Sequence, residues 1–267
     1  MLSTIGVESL EDLFDTIPED LRTSSWEVPP GMSEMAARDL LAQLAAKNNS
    51  RLTCFLGGGV YDHFVPAAVD ALASRGEFYT AYTPYQPECA QGTLQSIYEY
   101  QSAICRLTQM DFANASLYDG GTALFEAVTM SVRLTKRRRA LCMGSINPTY
   151  RRMLDTHVAN LDLDVADVPD ALQEPLDDVA CVLVQNPDFL GTLHDYSSLA
   201  ERCRGAGALL VIVFYPVSLG IVKTPGEMGA DIAVAEGQCL GMPLNFGGPY
   251  LGVMAVRAPH VLSLIHI

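Results

Sequence analysis

The chain has 267 residues, 49% of them hydrophobic, and a mean hydropathy of +0.17, enough for a sizeable buried core in one large domain with a small appendage. Its formal net charge of −14 and isoelectric point of about 4.6 repel phosphate backbones, which argues against nucleic acid as a partner but leaves helix N-termini free to bind small anions. The longest apolar run, Ala208 to Tyr215, falls far short of the roughly 20 residues a membrane span needs, and no basic region followed by an apolar stretch opens the chain, so neither a membrane nor a secretory route is expected.

Residues 1–56 read as an N-terminal helical arm. Ser9 with Asp12 three residues on forms a helix-start pair, and Pro18, Pro29 and Pro30 cut the segment into short pieces. A second helix fits Ser33 to Lys47, with Ala36, Leu40, Leu41 and Leu44 on one face. Residues 57–267 then read as an α/β large domain. It opens on Gly57-Gly58-Gly59, where positive φ is cheap, but the spacing is not that of a dinucleotide fingerprint. A turn is the expectation there, and for the lone His63 a satisfied hydrogen-bonding role is expected rather than a metal-ligand role.

Tyr79 to Glu88 follows, a stiff loop of tyrosines, prolines and polar side chains that is poor core material and good pocket lining. Helices are predicted over Gln91–Gln109, Ala123–Leu134, Arg151–Val158 and Tyr196–Ala206. Between them lie strands at Ala140–Met143, Val179–Val184, Leu209–Phe214, Ile232–Ala235 and Leu251–Val256. Buried strands alternating with helices imply a sheet covered on both faces. The turn at Asp119-Gly120-Gly121-Thr122 opens a helix with backbone N–H groups and a hydroxyl, chemistry suited to a phosphate or to a plain N-cap. The Lys136–Arg139 run reads as cations favouring a helix C-terminus. The seven cysteines are odd in number and form no CxxC pair, which suits reduced thiols of a cytoplasmic protein with no metal centre. Leu262 to Ile267 carries neither helix stop nor polar tail, as a truncated or mis-joined coding sequence would, so a small C-terminal domain is expected to be missing.

Several segments in order along the chain carry a resemblance. They are Ile5 to Phe14, Gly57 to His63, Tyr82 to Glu88 (YTPYQPE) continuing through Gln91 to Ser96, Met110 to Leu117 (MDFANASL) and Gly237 to Tyr250 (GQCLGMPLNFGGPY). Together they are similar to the P-protein of the glycine cleavage system, glycine decarboxylase, and in particular to its N-terminal half, which forms subunit 1 in the bacterial two-subunit version. The resemblance implies a large domain of the aspartate aminotransferase-like fold, PLP-dependent transferase fold type I. It implies an oxidoreductase-complex subunit, glycine dehydrogenase (aminomethyl-transferring), which decarboxylates glycine and passes the aminomethyl group to the lipoyl arm of H-protein.

In such enzymes a lysine holds pyridoxal 5′-phosphate. The family's lysine follows the strand that here reads Asp231 to Ala235, and the next residues are Glu236-Gly237-Gln238-Cys239-Leu240. An amine is needed for that linkage. This half is therefore expected to supply no catalytic lysine and to hold no cofactor covalently, leaving it to a PLP-bearing P-protein subunit 2 in a heterodimer. Tyr82, Thr83, Tyr85, Gln86 and Glu88, with His63, are the residues the resemblance assigns to the substrate and cofactor pocket. Gly120, Gly121 and Thr122 would be a degenerate phosphate-type turn, and Tyr215 stands where the fold commonly places an acid against the pyridine nitrogen. Two other readings stay open: a self-sufficient PLP enzyme using Lys223 on another amino acid, and a structural partner that never touches substrate.

Overall fold

The structure, a computed structural model, describes residues 1–23, 25–49, 51–53, 55, 57–59, 61–79, 83–86, 88–245 and 247–265. The chain divides into two compact units, Met1–Phe55 and Leu56–Ile267. The first contains helices α1 (Leu2–Ile5) and α2 (Glu34–Ala45), with single 3₁₀ turns at Glu11–Phe14 and Glu19–Leu21. Ser9 and Asp12 pair as the sequence predicts: Ser9 Oγ donates to Asp12 Oδ1 at 2.6 Å, and Asp12 N donates back to Ser9 Oγ at 3.3 Å. They lie at the start of one 3₁₀ turn rather than open a longer helix, since Pro18, four residues past the turn, lacks the N–H that would continue it. Helix α2 starts where expected, with the Ser33 hydroxyl accepting from Ala36 N at 3.2 Å.

The second unit begins with short helices α3 (Ala67–Ala73) and α4 (Gly76–Tyr79), neither of which the sequence reading anticipated. It continues through α5 (Gln91–Thr108), β1 (Phe112–Ala113), α6 (Gly120–Thr135), β2 (Arg139–Met143), α7 (Pro148–Val158), β3 (Asp164–Val168) and β4 (Val179–Asn186). It closes with α8 (Ser197–Ala206), β5 (Leu209–Phe214), α9 (Pro225–Met228), β6 (Ile232–Glu236), β7 (Gly252–Val256) and α10 (Val261–Leu264).

The seven strands form one sheet in the order β1-β7-β6-β5-β4-β2-β3. Strands β6, β5, β4, β2 and β3 run parallel, while β7 pairs antiparallel with both β6 and β1. Alternate residues of the central strands feed two separate cores, as the period-2 geometry of a strand requires. Val182, Val184, Leu210 and Ile212 pack with Ile104 of α5, Leu199 and Cys203 of α8, and Met228 of α9. Cys181, Leu183, Val211 and Val213 pack on the other face with Leu124 and Val128 of α6, Leu154 of α7, and Leu264 of α10. Both faces being covered is why these strands read as continuous apolar runs.

The basic run lies at the C-terminus of α6 as predicted, and does more than that. Lys136 is the left-handed C-cap of α6, but Arg137 reaches away from that helix. Its guanidinium donates to the carbonyls of Val179 at 3.0 Å and of Ala206, the last residue of α8, at 2.9 Å. The cation therefore serves the C-terminus of a different helix. Arg138 pairs with Asp162, and Arg139 with Asp164 and Asp178 at the sheet edge.

Candidate functional site

The strand order reverses between β2, whose other neighbour is β3, and β4, which leads to β5 and β6. Open parallel sheets bind ligands in the crevice outside the carboxyl ends of strands at such a reversal. Here a cavity of about 320 Å³ lies at that place, with Asn147, Gln185, Val213, Phe214, Tyr215 and Glu236 in its wall. A second cavity of about 320 Å³ shares Gly59, Asn147, Tyr150, Glu236 and Gln238 with it and extends to Asp119, Met153 and Tyr250.

Asn147 follows β2 and caps α7 by accepting from Thr149 N at 2.9 Å, ahead of a proline at the first helical position. Its own backbone N–H donates to Gln185 Oε1 at 2.8 Å, which clasps the ends of β2 and β4 across the reversal. After β4, the Asn186-Pro187-Asp188 segment turns sharply: Asp188 Oδ1 accepts from Leu190 N at 3.0 Å and Thr192 N at 2.8 Å. Burial works against that charge, but the N–H groups and the His194 ring outweigh it and hold the Asp188 carboxyl below the usual carboxylate range.

At the end of β6, Glu236 is half-buried. Its Oε2 accepts from Gly120 N at 3.0 Å, and its Oε1 accepts from Gln238 N at 2.9 Å and Leu251 N at 3.2 Å. Burial pushes its pKa up against the pull of those three donors. The Tyr150 hydroxyl beside it is pushed up as well, chiefly by burial and then by Glu236 and Asp119. Burial likewise raises Cys239 to about 11, so its thiol is not a nucleophile at neutral pH.

His63 lies at the rim. Its Nδ1 is 2.8 Å from the Tyr61 carbonyl, an acceptor only, so Nδ1 carries the proton. In the neutral ring, Nε2 then accepts from the Tyr215 hydroxyl at 2.5 Å. Burial, with Cys239 and Tyr61 next, pushes Tyr215 up to about 12, and Tyr61 packs edge-on against it at 5.4 Å. Gly57, Gly58 and Gly59 all take positive φ, as a turn of three glycines permits, and a Cβ on Gly59 would overlap the Asn147 amide. The glycine turn is thus both a turn and a cavity wall.

The predicted pocket residues are not all brought together. His63 is hydrogen-bonded to a residue of the cavity wall. Thr83, Gln86 and Glu88 are exposed, Tyr85 is 77% exposed, and none of them lines either cavity. Tyr82 lies outside the described residues. Gly120, Gly121 and Thr122 do open α6, with Asp119 Oδ1 accepting from Thr122 N at 2.7 Å. Asn147, Tyr150, Gln185 and Gln238 were not singled out from sequence. The reversal rule applied to the ends of β2 and β4, and the Asn-Pro-Asp turn after a buried strand, are the signals that point to them.

The family model described as Glycine cleavage system P-protein matches residues 1–264. Two relatives bear the name "Probable glycine dehydrogenase (decarboxylating) subunit 1". The one from Nitratidesulfovibrio vulgaris is 54% identical over 273 residues, covering 99% of this chain and 62% of the relative. The one from Citrifermentans bemidjiense is 51% identical over 273 residues, covering 99% of this chain and 61% of the relative. The chain therefore spans about three-fifths of the length of the curated relatives it matches. A crystal structure of glycine decarboxylase (P-protein) of the glycine cleavage system, in inhibitor-bound form, superposes with a TM-score of 0.87 at 45% identity, covering 98% of this chain and 61% of that one. A Burkholderia pseudomallei sphingosine-1-phosphate lyase shares the fold, with a TM-score of 0.63 at 14% identity, covering 91% of this chain and 63% of that one. The architecture is that of PLP-dependent transferase fold type I.

Proposed function

Because the chain belongs to the glycine cleavage system P-protein family, we propose that it is the part of a cytoplasmic glycine decarboxylase that lacks the cofactor-holding lysine. In this reading the assembled enzyme decarboxylates glycine and passes the remaining aminomethyl group to the lipoyl arm of H-protein. The relatives' designation as subunit 1 supports a second subunit, which in this reading bears the cofactor lysine.

The observation that carries the reading is what stands after β6. Pyridoxal phosphate supplies an electron sink for loss of a carboxylate, and it needs a lysine amine to hold it. Here the sequence runs Glu236-Gly237-Gln238-Cys239, and neither cavity has a lysine in its wall. Lys223, the amine a self-sufficient enzyme would use, is committed to an exposed ion pair with Asp195. Tyr215, hydrogen-bonded to His63, stands where an acid would be needed to pair with a pyridinium. These residues do not fit a covalently held pyridoxal cofactor, and no step of the reaction is assigned to them.

What this chain contributes in this reading is Tyr82, Thr83, Tyr85, Gln86 and Glu88, offered to the partner's active site. The exposure of Thr83, Tyr85, Gln86 and Glu88 supports an intersubunit role better than a core role. The test uses Tyr82→Phe and Tyr85→Phe in the full-length protein reconstituted with the PLP-bearing subunit. Each lost hydroxyl contact is expected to cost about 0.5–1.5 kcal/mol, or up to about 3 kcal/mol if its partner is charged. Glycine–bicarbonate exchange should fall roughly two- to hundred-fold while assembly is unchanged. Full exchange activity in both variants would leave the chain a scaffold.

A further inference from the structure

We propose that Glu236 is the resident anion of helix α6, a carboxylate standing where a phosphate would otherwise sit and closing the crevice of this chain to phosphorylated ligands. The inference concerns anion occupancy and stands whether or not the glycine reading holds. Helix α6 has 16 residues and starts with Gly120 at the cavity wall formed by Asp119 and Glu236. The first N–H groups of a helix, with its dipole behind them, form an anion site.

In this chain two of those donors, on Gly120 and Thr122, are already used by the protein's own acids. Gly120 N donates to Glu236 Oε2 at 3.0 Å, while Thr122 donates from N at 2.7 Å and from Oγ1 at 3.0 Å to Asp119 Oδ1. The second oxygen of Glu236 takes the N–H groups of Gln238 and Leu251. Every recorded partner of Glu236 is a donor, which suits the acceptor-only carboxylate.

Space and charge lead to the same conclusion. A Cβ on Gly120 would lie 2.6 Å from the Tyr150 hydroxyl and 2.8 Å from Glu236 N, and one on Gly121 would overlap the Met153 thioether. The two glycines therefore let α6 pack tightly onto β6 and α7, which holds its first turn against Glu236. No lysine or arginine lines either cavity, so an arriving phosphate would meet two carboxylates and no cation.

Removing the Glu236 carboxylate takes away one of the two negative charges and frees the backbone N–H groups of Gly120, Gln238 and Leu251 for an incoming anion. The test is a titration of the full-length protein with inorganic phosphate at constant ionic strength, read by calorimetry and by thermal shift. The wild-type chain, without its partner, is expected to show no saturable binding. Glu236→Ala is expected to show saturable phosphate binding where the wild type shows none, and to melt progressively higher as phosphate saturates it. Glu236→Ser gives the same reading should the alanine variant fail to fold. Saturable phosphate binding by the wild-type chain overturns the proposal, and so does a folded Glu236→Ala or Glu236→Ser variant that binds no better than wild type.

Discussion

Individual side chains at the crevice show how little of a site's chemistry depends on unusual residues. Asp188 organises the turn after β4 with one oxygen and reaches His194 Nε2 with the other at 3.3 Å. Asp188→Asn keeps the shared oxygen and loses only the histidine contact, whereas Asp188→Ala loses everything. The alanine variant should be less stable at pH 7 by about 0.5–1.5 kcal/mol, the asparagine variant by less. Because the native carboxyl is held low, the charge contributes fully above the unfolded value of about 3.9 and is lost as pH falls through the native value. Urea melts from pH 7 to pH 3 should show the gap between wild type and Asp188→Asn closing below about pH 4. A gap that widens on acidification contradicts this account. None of this was visible in sequence beyond a turn signal, since an acid's partners depend on where the chain returns.

Strands and helices were legible in proportion to how fully they are buried. Strand β5 falls where its apolar run falls, Leu209–Phe214, because both its faces are covered. Helix α8 likewise spans Ser197–Ala206 with Tyr196 as its cap. The edges escaped notice. Strand β3 reads Asp-Val-Ala-Asp-Val, its two acids exposed, and β1 has only two residues, too few to set a period. The contrast predicts a contrast in stability. Leu183 of β4 is fully buried, whereas Leu190 four residues beyond the strand is 79% exposed. Leu183→Ala is expected to cost about 2–5 kcal/mol and Leu190→Ala to stay within about 0.5 kcal/mol, measured by chemical denaturation. Equal losses would mean that the sheet is not the cooperative core described above.

At the scale of the molecule, the α/β class was legible because the strand and helix periods alternate. The family was legible because its motifs recur in order from residue 5 to residue 250. The crevice was not, since Asn147, Gln185 and Glu236 lie on three different segments that only the sheet order brings together. That same order has a consequence in time. Strand β7 is the sole sheet partner of β1, so Phe112–Ala113 must wait for Ala255–Val256 before it can pair. Closing so long a loop is entropically slow, and sheets built from distant segments fold late. A chain ended at residue 250 is therefore expected to melt without a cooperative transition, and a sharp two-state melt of that fragment would refute the expectation. On the ribosome, the first strand of this sheet stays unpaired until the last is made, and its apolar neighbours on α5 are the surface a chaperone would meet in the interval.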